Sequence, residues 1–277
     1  MHKKQSFAFS LVSLLCLGLL SCSQAGSNTE LKKLTITGST TVAPLANEIA
    51  KRFESENANV RVDVQTGGSS RGLYDAEQGL ADIGMVSRAL KQEEKPNVLT
   101  FVIAQDGIGI IVNKDNDIKA LSDEQIVKIY TGEIENWKAV GGKAAPITVV
   151  NKAEGHSTLE LFLKYFKLKN AQVKPDVVIK DNQQGIKTVA GNKDAIGYVS
   201  IGTAEYSIAN GVAIKLLPVG GVEASTKTVG DGSFPLFRPL NLVTNTSPSP
   251  LTQQFIDFAQ SKEVHDLVEA QNFVPIQ

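Results

Sequence analysis

Apolar and polar positions follow two different periods along the chain, and the two periods succeed each other repeatedly. Leu34 to Thr37 and Val60 to Val64 alternate between apolar and polar residues, as half-buried strands do. Between them, apolar side chains recur every four residues, which predicts an amphipathic helix from Pro44 to Asn57. The chain therefore begins its folded part as strand, helix, strand.

The same alternation continues to the C-terminus. Ser122 to Gln125 has the pattern of a capping box, and Ser249 before Pro250 has the pattern of a helix start. The patterns also predict strands at 101–113, 147–150, 195–200, 214–219 and 240–244, and helices at 73–80, 159–166 and 183–190. Strands that alternate with helices favour an α/β fold with mostly parallel sheets, and the length favours two lobes.

The first residues have a different character. Lys3 and Lys4 precede an apolar run from Phe7 to Leu20, which is too short to cross a bilayer comfortably and is typical of an export signal. The run ends at Ser21-Cys22, which resembles a bacterial lipoprotein cleavage box. We therefore expect a signal peptide at 1–21, an acylated Cys22 and a small, polar tether at 22–33. The alternative is an ordinary secretory signal with an incidental cysteine.

Composition excludes several classes of protein. Hydrophobic residues make up 42% of the 277 residues and charged residues 21%, so the chain is not disordered as a whole. The net charge is −1, and signal cleavage would make it −3, so nothing predicts a nucleic-acid partner. Cleavage would also leave Cys22 as the one cysteine, beside two histidines, so we expect no disulfide, no metal site and no cofactor.

Three segments share one design: a strand ends, small hydroxyl and glycine residues follow, and a helix begins. They are Gly38 to Pro44, Gly67 to Gly72 and Glu154 to Thr158. Helix N-termini carry unpaired N–H groups and partial positive charge, and hydroxyls add further donors. If these turns meet at the carboxyl ends of the strands, they form a site for an oxyanion.

Each turn has a plainer interpretation when it is taken alone. Serine, threonine and glycine are ordinary helix caps. Ser157 and Glu160 have the spacing of a capping box, which would occupy the Ser157 hydroxyl within its own helix. The chain contains no Walker motif and no dinucleotide fingerprint. Only the threefold recurrence of the turn favours an anion.

The chain resembles the phosphate-binding proteins of ABC importers, which are members of the periplasmic binding protein superfamily. The motifs that carry the resemblance follow the family's order and cover essentially the whole chain after the signal. They are Gly38 to Leu45, Gly67 to Ser69, Ala81 to Arg88, Asp106 to Ile108 with Ile111 to Asn113, Tyr130 to Ile134 with Asn136-Trp137, Ala195 to Val199, and Arg238 to Leu240.

The resemblance implies a fold and a role. The fold is two α/β lobes of the type II binding-protein class, with lobe I at 34–110 and 201–277, lobe II at 111–200, and a hinge of two crossing strands. The role is that of a monomeric extracytoplasmic binding protein, not an enzyme, which captures inorganic phosphate between the lobes. Its partners would be an ABC permease of the inner membrane and, through the anchor, the membrane itself.

The resemblance also implies binding residues, some of which depart from the family pattern. The expected set is Ser39, Thr40, Thr41, Ser69, Ser70, Ser87, Arg88, Lys152, His156, Ser157 and Thr158. Lys152 stands where the family commonly has arginine, and His156 stands where it has a hydroxyl residue. Arg88 stands where the longer branch of the family has the aspartate that accepts the phosphate proton. Asp106 and Glu154 are candidate substitutes for that acceptor.

Two other functions are also compatible with the sequence. The first keeps the fold but makes the protein a phosphate sensor or a receptor for another tetrahedral oxyanion. The second is a serine hydrolase in which Ser157 is the nucleophile. Because His156 lies on the same turn as Ser157, His265 would have to be the base, and Leu159 replaces the second glycine of a nucleophile elbow.

Overall fold

The computed structural model describes residues 31–276, in which strands and helices alternate. The strands are β1 (Lys32–Gly38), β2 (Val60–Thr66), β3 (Ile83–Val86), β4 (Leu99–Asn113), β5 (Thr148–Lys152), β6 (Val177–Ile179), β7 (Ala195–Ser200), β8 (Ile214–Leu217), β9 (Phe237–Thr244) and β10 (Val274–Pro275). The helices are α1 (Ala43–Glu56), α2 (Ser69–Glu77), α3 (Asp123–Tyr130), α4 (Ser157–Tyr165), α5 (Asn182–Gly191), α6 (Ile201–Ala209), α7 (Thr226–Gly230), α8 (Pro250–Ala259) and α9 (His265–Ala270).

Two groups of parallel strands form the ends of the sheet system. The order is β2-β1-β3-β9-β4-β7-β5-β6, with β8 and β10 also paired to β4. β1 is parallel to β2 and β3, and β5 is parallel to β6 and β7. β4 and β9 run antiparallel to their neighbours. The α/β class is confirmed, but the sheet is mixed rather than mostly parallel because these two long strands lie at its centre.

The strand β4 carries the chain from one half of the molecule to the other. Its first part, up to Gly107, pairs with β9, and its second part, from Ile108, pairs with β7. The chain returns beside it, where the amide of Ile108 donates to the carbonyl of Leu236. Two neighbouring segments therefore cross between the halves, as the expected hinge requires.

Separate hydrophobic clusters define the two halves. We call residues 31–106 and 238–276 the first half and residues 107–237 the second half. The first cluster contains residues of 34–104 and 240–273, and the second contains residues of 108–236. Ile201, Leu217 and Phe234 lie in the second cluster, whereas the resemblance implies that 201–236 belongs to lobe I. The reason is β8, which pairs with residues 110–113 of β4 and keeps this segment on the second sheet.

Local signals in the sequence placed most elements correctly. The Ser122–Gln125 capping box is present in α3, and Ser249 caps α8. The expected helix around Leu80 is shorter than predicted, because α2 ends at Glu77 and Gly79 follows with a φ of +68°. Lys32 and Lys33, which we assigned to the tether, already pair with β2. The signal peptide and Cys22 lie outside the described residues.

None of the helices within residues 31–276 has the length and apolar character needed to cross a membrane.

Candidate binding site

The first half contributes a chain of three buried hydroxyls. Ser39 follows β1, Ser69 opens α2, and Ser87 follows β3. Ser39 Oγ donates to Ser87 Oγ over 2.9 Å, and the Ser87 amide donates to Ser69 Oγ over 3.2 Å. The three side chains are buried. Two of the three predicted turns and the end of β3 therefore meet at one point.

Close backbone contact beneath these hydroxyls explains why glycine is needed at position 38. A Cβ on Gly38 would lie 2.5 Å from the Met85 carbonyl oxygen and 2.8 Å from the Gly72 Cα. Gly38 also has a φ of +129°, which favours glycine. β1, β3 and α2 can therefore approach closely enough to place their hydroxyls side by side.

Arg238 in β9 is the centre of the site and is absent from the expected set. Its Nη1 donates to Thr158 Oγ1 over 3.0 Å, and its Nη2 donates to Thr41 Oγ1 over 3.1 Å. Nη1 also lies 3.4 Å from Ser87 Oγ, and the side chain is completely buried. One guanidinium thus joins hydroxyls of both halves.

Asp106 in β4 neutralises this guanidinium. Its Oδ2 accepts from Nη2 of Arg238 over 2.8 Å and from Nε over 3.1 Å, and its Oδ1 accepts from the Gly202 amide. Both carboxylate oxygens therefore already have partners. Glu154, the other candidate acceptor, is exposed and accepts a hydrogen bond from Asn170.

The second half contributes a buried cation, Lys152 at the end of β5. Its side chain is 1% exposed, and Nζ donates to Asn182 Oδ1 over 3.2 Å. Among the described residues, no carboxylate lies within 4 Å of this ammonium group. Burial lowers the pKa of Lys152 to about 7; Arg238 acts in the same direction and Asp181 opposes it. A bound anion would stabilise the charged, ammonium form of such a buried amine.

Asn182 links Lys152 to the first half, and it is also absent from the expected set of binding residues. It opens α5, accepts from Lys152, and donates through Nδ2 to Thr41 Oγ1 over 3.1 Å. Thr41 therefore receives hydrogen bonds from Asn182 and from Arg238. The Asp181-Asn182 pair after β6 was the available sequence signal, because a polar residue at a helix start is also what the three recognised turns contain.

The start of α4 differs from the expected capping box. His156, not Ser157, is the N-cap, so Ser157 is the first helical residue and its hydroxyl does not cap the helix. The Ser157 Oγ is buried and has no hydrogen-bond partner in the described part of the protein. Because Ser157 and Thr158 lie in the first turn, their amides have no carbonyl partner within the helix. This turn therefore offers unused donors next to Arg238.

His156 is buried at the N-cap of α4. Burial lowers its pKa to about 4; Lys152 and Lys180 act in the same direction, and Asp181 opposes them. His156 is therefore a neutral imidazole at pH 7 in this arrangement. It lines a cavity of about 370 Å³ between the halves, together with Thr40, Gly67 and Asp181.

Three other expected residues lie at the edge of the site. Thr40 is half-buried and faces that same cavity. Ser70 is exposed, and its amide donates to the Gly155 carbonyl across the cleft. Arg88 is buried, but its guanidinium is hydrogen-bonded to Glu94, forms an ion pair with Glu160, and does not take part in the hydroxyl network.

The remaining residues form one enclosed set, which we call the donor cage. Its members are Ser39, Thr41, Ser69, Ser87, Lys152, Ser157, Thr158, Asn182 and Arg238. Hydroxyl, amide, ammonium and guanidinium donors dominate it, and four helices begin beside it. Helix N-termini and such donors stabilise negative charge, so the cage has the chemistry of an oxyanion site.

The geometry of Ser157 gives no support to the hydrolase alternative. A serine nucleophile needs a base within hydrogen-bond distance. In residues 31–276, the Ser157 hydroxyl has no such partner. His265 opens α9, which packs against α1 and β10 of the first half.

Comparisons with known proteins agree with this architecture. A model of the PBP superfamily domain matches residues 23–263. The phosphate-binding protein PstS of Bacillus subtilis is 30% identical over 247 residues, covering 88% of this chain and 80% of that protein. PstS of Borreliella burgdorferi is 32% identical over 255 residues, covering 89% and 91%.

Solved structures give the same result. A phosphate ABC transporter substrate-binding protein from Clostridium perfringens, with bound phosphate, matches with a TM-score of 0.82 and 33% identity, covering 89% of this chain and all of that one. An ABC-type phosphate transport receptor from Vibrio cholerae matches with a TM-score of 0.73 and 29% identity, covering 88% and 100%. The chain therefore belongs to the PBP superfamily and, within it, to the family of the PstS phosphate-binding proteins.

Proposed function

We propose that this protein binds inorganic phosphate in the donor cage and delivers it to an ABC-type importer. The observation that carries the proposal is Lys152, a buried ammonium group without a carboxylate partner among the described residues. Arg238, by contrast, is balanced by Asp106. A small anion would supply the missing negative charge and accept hydrogen bonds from hydroxyls of both halves. The names of the PstS relatives support phosphate as that anion.

We assign direct phosphate contact to the hydroxyls and amides that face the cage from both halves. These belong to Ser39, Thr41, Ser69, Ser157 and Thr158, with Lys152 and Arg238 as the cations. Thr40, Ser70, His156 and Arg88 act at the rim. This arrangement supports closure of the two halves about β4 and β9, since contact residues come from both sides of the crossing.

Calorimetric titration of the chain from Cys22 onward tests the function. We expect one saturable phosphate site, and a hundredfold excess of phosphate over Kd should stabilise the fold by about 2.7 kcal/mol. Absence of both heat and a thermal shift at millimolar phosphate would reject the proposal. Labelled phosphate recovered unchanged after incubation separates binding from turnover.

A receptor for another oxyanion is the second candidate, and the hydrogen bonds of Asp106 support it. Phosphate at neutral pH carries a proton that needs an acceptor, whereas sulfate does not. Both oxygens of Asp106 already accept hydrogen bonds, from Arg238 and Gly202. Competition of sulfate, arsenate and molybdate against labelled phosphate decides between the two. If the site is specific for phosphate, arsenate should compete and sulfate should fail; strong sulfate competition would favour the broader receptor.

We further propose export and lipid anchoring through Cys22, with the folded part on the extracytoplasmic side as a monomer. The support for export and anchoring is the sequence alone: a basic start, a short apolar run and Ser21-Cys22. Radioactive palmitate should label the wild type but not C22S, and C22S should leave the detergent phase. Equal partitioning of both proteins would reject the anchor.

A measurement of phosphate uptake by cells that lack this protein distinguishes a role in transport from a role in sensing.

A further inference from the structure

Among residues 31–276, one ion pair joins the two halves outside the donor cage. Arg88 follows the cage residue Ser87 in the first half, and its Nε lies 3.1 Å from Oε2 of Glu160 in the second half. The Arg88 side chain is 5% exposed and that of Glu160 is 30% exposed. The pair is therefore partly shielded from water, where charge attraction is stronger than on an open surface.

The same carboxylate also contacts the start of α2. Ser70 Oγ donates to Glu160 Oε1 over 3.4 Å, and the Ser70 amide donates to the Gly155 carbonyl over 3.1 Å. The approach is close, since a Cβ on Gly68 would lie 2.6 Å from the Gly155 carbonyl oxygen. Glu160 thus contacts both the start of α2 and the loop after β3 in the first half.

Arg88 does not depend on Glu160 for its position or its neutralisation. Glu94 of the first half binds it in a bidentate pair, with distances of 2.7 and 2.8 Å. Burial would lower the pKa of Arg88, but Glu94 and Glu160 outweigh it and keep the group charged. Removal of the Glu160 charge would therefore leave an intact ion pair within the first half.

Glu160 also makes no contribution to its own helix cap. The sequence spacing with Ser157 suggested a capping box, but the N-cap His156 has no side-chain cap. The carboxylate is directed across the cleft to Arg88 and Ser70 instead. Its position in the first turn of α4 places it one helical turn from Ser157, which lines the cage.

We propose that Glu160 is a cross-cleft clasp that holds α4 against the first half once the ligand is enclosed. It is a positioning residue, because it acts on the ligand through Ser157 and Thr158. The inference rests on the proposed phosphate site. Since Arg88 and Glu160 belong to different halves, their contact exists only when the cleft is closed. The clasp therefore slows release of the ligand and leaves its entry unchanged.

The test compares E160Q with E124Q, which removes an exposed carboxylate paired with Lys128 within α3. Calorimetry gives Kd for inorganic phosphate, and a chase of [³²P]phosphate by unlabelled phosphate gives the release rate. We expect E160Q to release phosphate about five to twenty times faster, with an association rate within twofold of the wild type. E124Q should match the wild type. An unchanged release rate in E160Q, or a slower association alone, would overturn the clasp.

A distance measurement separates failure of the clasp from failure of the phosphate site. Spin labels at exposed Lys51 in α1 and Lys187 in α5 report the separation of the halves. With saturating phosphate, E160Q should show a longer-distance population that the wild type lacks. If the wild type gives no heat with phosphate, the function fails, and the clasp is judged on the unliganded proteins. A longer distribution in E160Q then supports it, and identical distributions overturn it.

Discussion

Arg238 and Asp106 occupy opposite positions in the register of β9 and β4, and their charged groups meet at 2.8 Å without exposure to water. The pair lies where the chain crosses between the two halves. The remaining donors of Arg238 reach Thr41 of the first half and Thr158 of the second. The hinge and the donor cage therefore share one side chain.

The first prediction concerns this pair. R238M should weaken phosphate binding more than a hundredfold, because the cage loses its central donor. It should also lower the free energy of unfolding by about 3–5 kcal/mol, since Asp106 is left as an unpaired buried charge. Urea unfolding and calorimetric titration measure the two effects.

The double variant D106N/R238M separates stability from binding. It should recover part of the lost unfolding free energy while binding stays weak. R61M, which alters an exposed arginine, is the control. Phosphate binding by R238M within fivefold of the wild type would contradict the central role of this guanidinium.

The second prediction is a pH dependence that originates at Lys152. Burial lowers the pKa of this amine to about 7, so the enclosed site without an anion releases the proton as pH rises. A bound anion favours the charged form, so binding above pH 7 takes up a proton. Between pH 8 and 9.5, affinity should fall by up to about tenfold per pH unit.

The matched variant for this prediction is K152R. A guanidinium stays charged throughout this range, so K152R should bind with a nearly flat pH profile. Titrations at pH 8.5 in buffers with different ionisation enthalpies count the protons taken up. An equal slope and an equal proton count in both proteins would assign the effect to another group.

The third prediction uses the unpartnered hydroxyl of Ser157. Because this buried Oγ makes no hydrogen bond within the described protein, S157A should unfold within about 0.5 kcal/mol of the wild type, or be more stable. Phosphate binding should nevertheless weaken by roughly 1–3 kcal/mol, since the anion loses a donor. S207A, which removes a buried hydroxyl bonded within α6, should show the opposite pattern.

The fourth prediction distinguishes two adjacent threonines. Thr41 is 1% exposed and receives hydrogen bonds from Arg238 and Asn182, whereas Thr40 is half-buried at the outer cavity. T41A should weaken phosphate binding about ten- to a hundredfold, and T40A by less than about threefold. Titration of both variants at one pH is sufficient, and a larger effect in T40A would place the anion nearer the mouth of the cleft.

Most of the fold could be predicted from the sequence because its signals are local. Period-two strands, four-residue repeats and serine caps depend on neighbouring residues, and β1, α1 and α8 lie where these patterns placed them. The return crossing, which the resemblance alone placed near residue 200, could not be derived from such signals. It depends on β8 pairing with β4 about a hundred residues earlier in the chain, and no local pattern encodes that pairing.

The site shows the same limit. Ser39, Ser69 and Ser157 could be identified from their turns, whereas Arg238 meets Thr41 across 197 positions of sequence. The protonation state of His156 could not be predicted either, because its low pKa results from burial beside Lys152. Local sequence thus identified the hydroxyl groups of the cage but not the long-range contacts that orient and charge it.

The division of the first hydrophobic cluster between 34–104 and 240–273 affects how the chain acquires its structure. Synthesis delivers the N-terminal residues first, but their apolar faces have no complete partner until β9, α8 and α9 have been made. The second cluster is built from one continuous stretch and can assemble earlier. A nascent chain interrupted after residue 236 should therefore contain one protease-resistant body, with everything before β4 open to digestion.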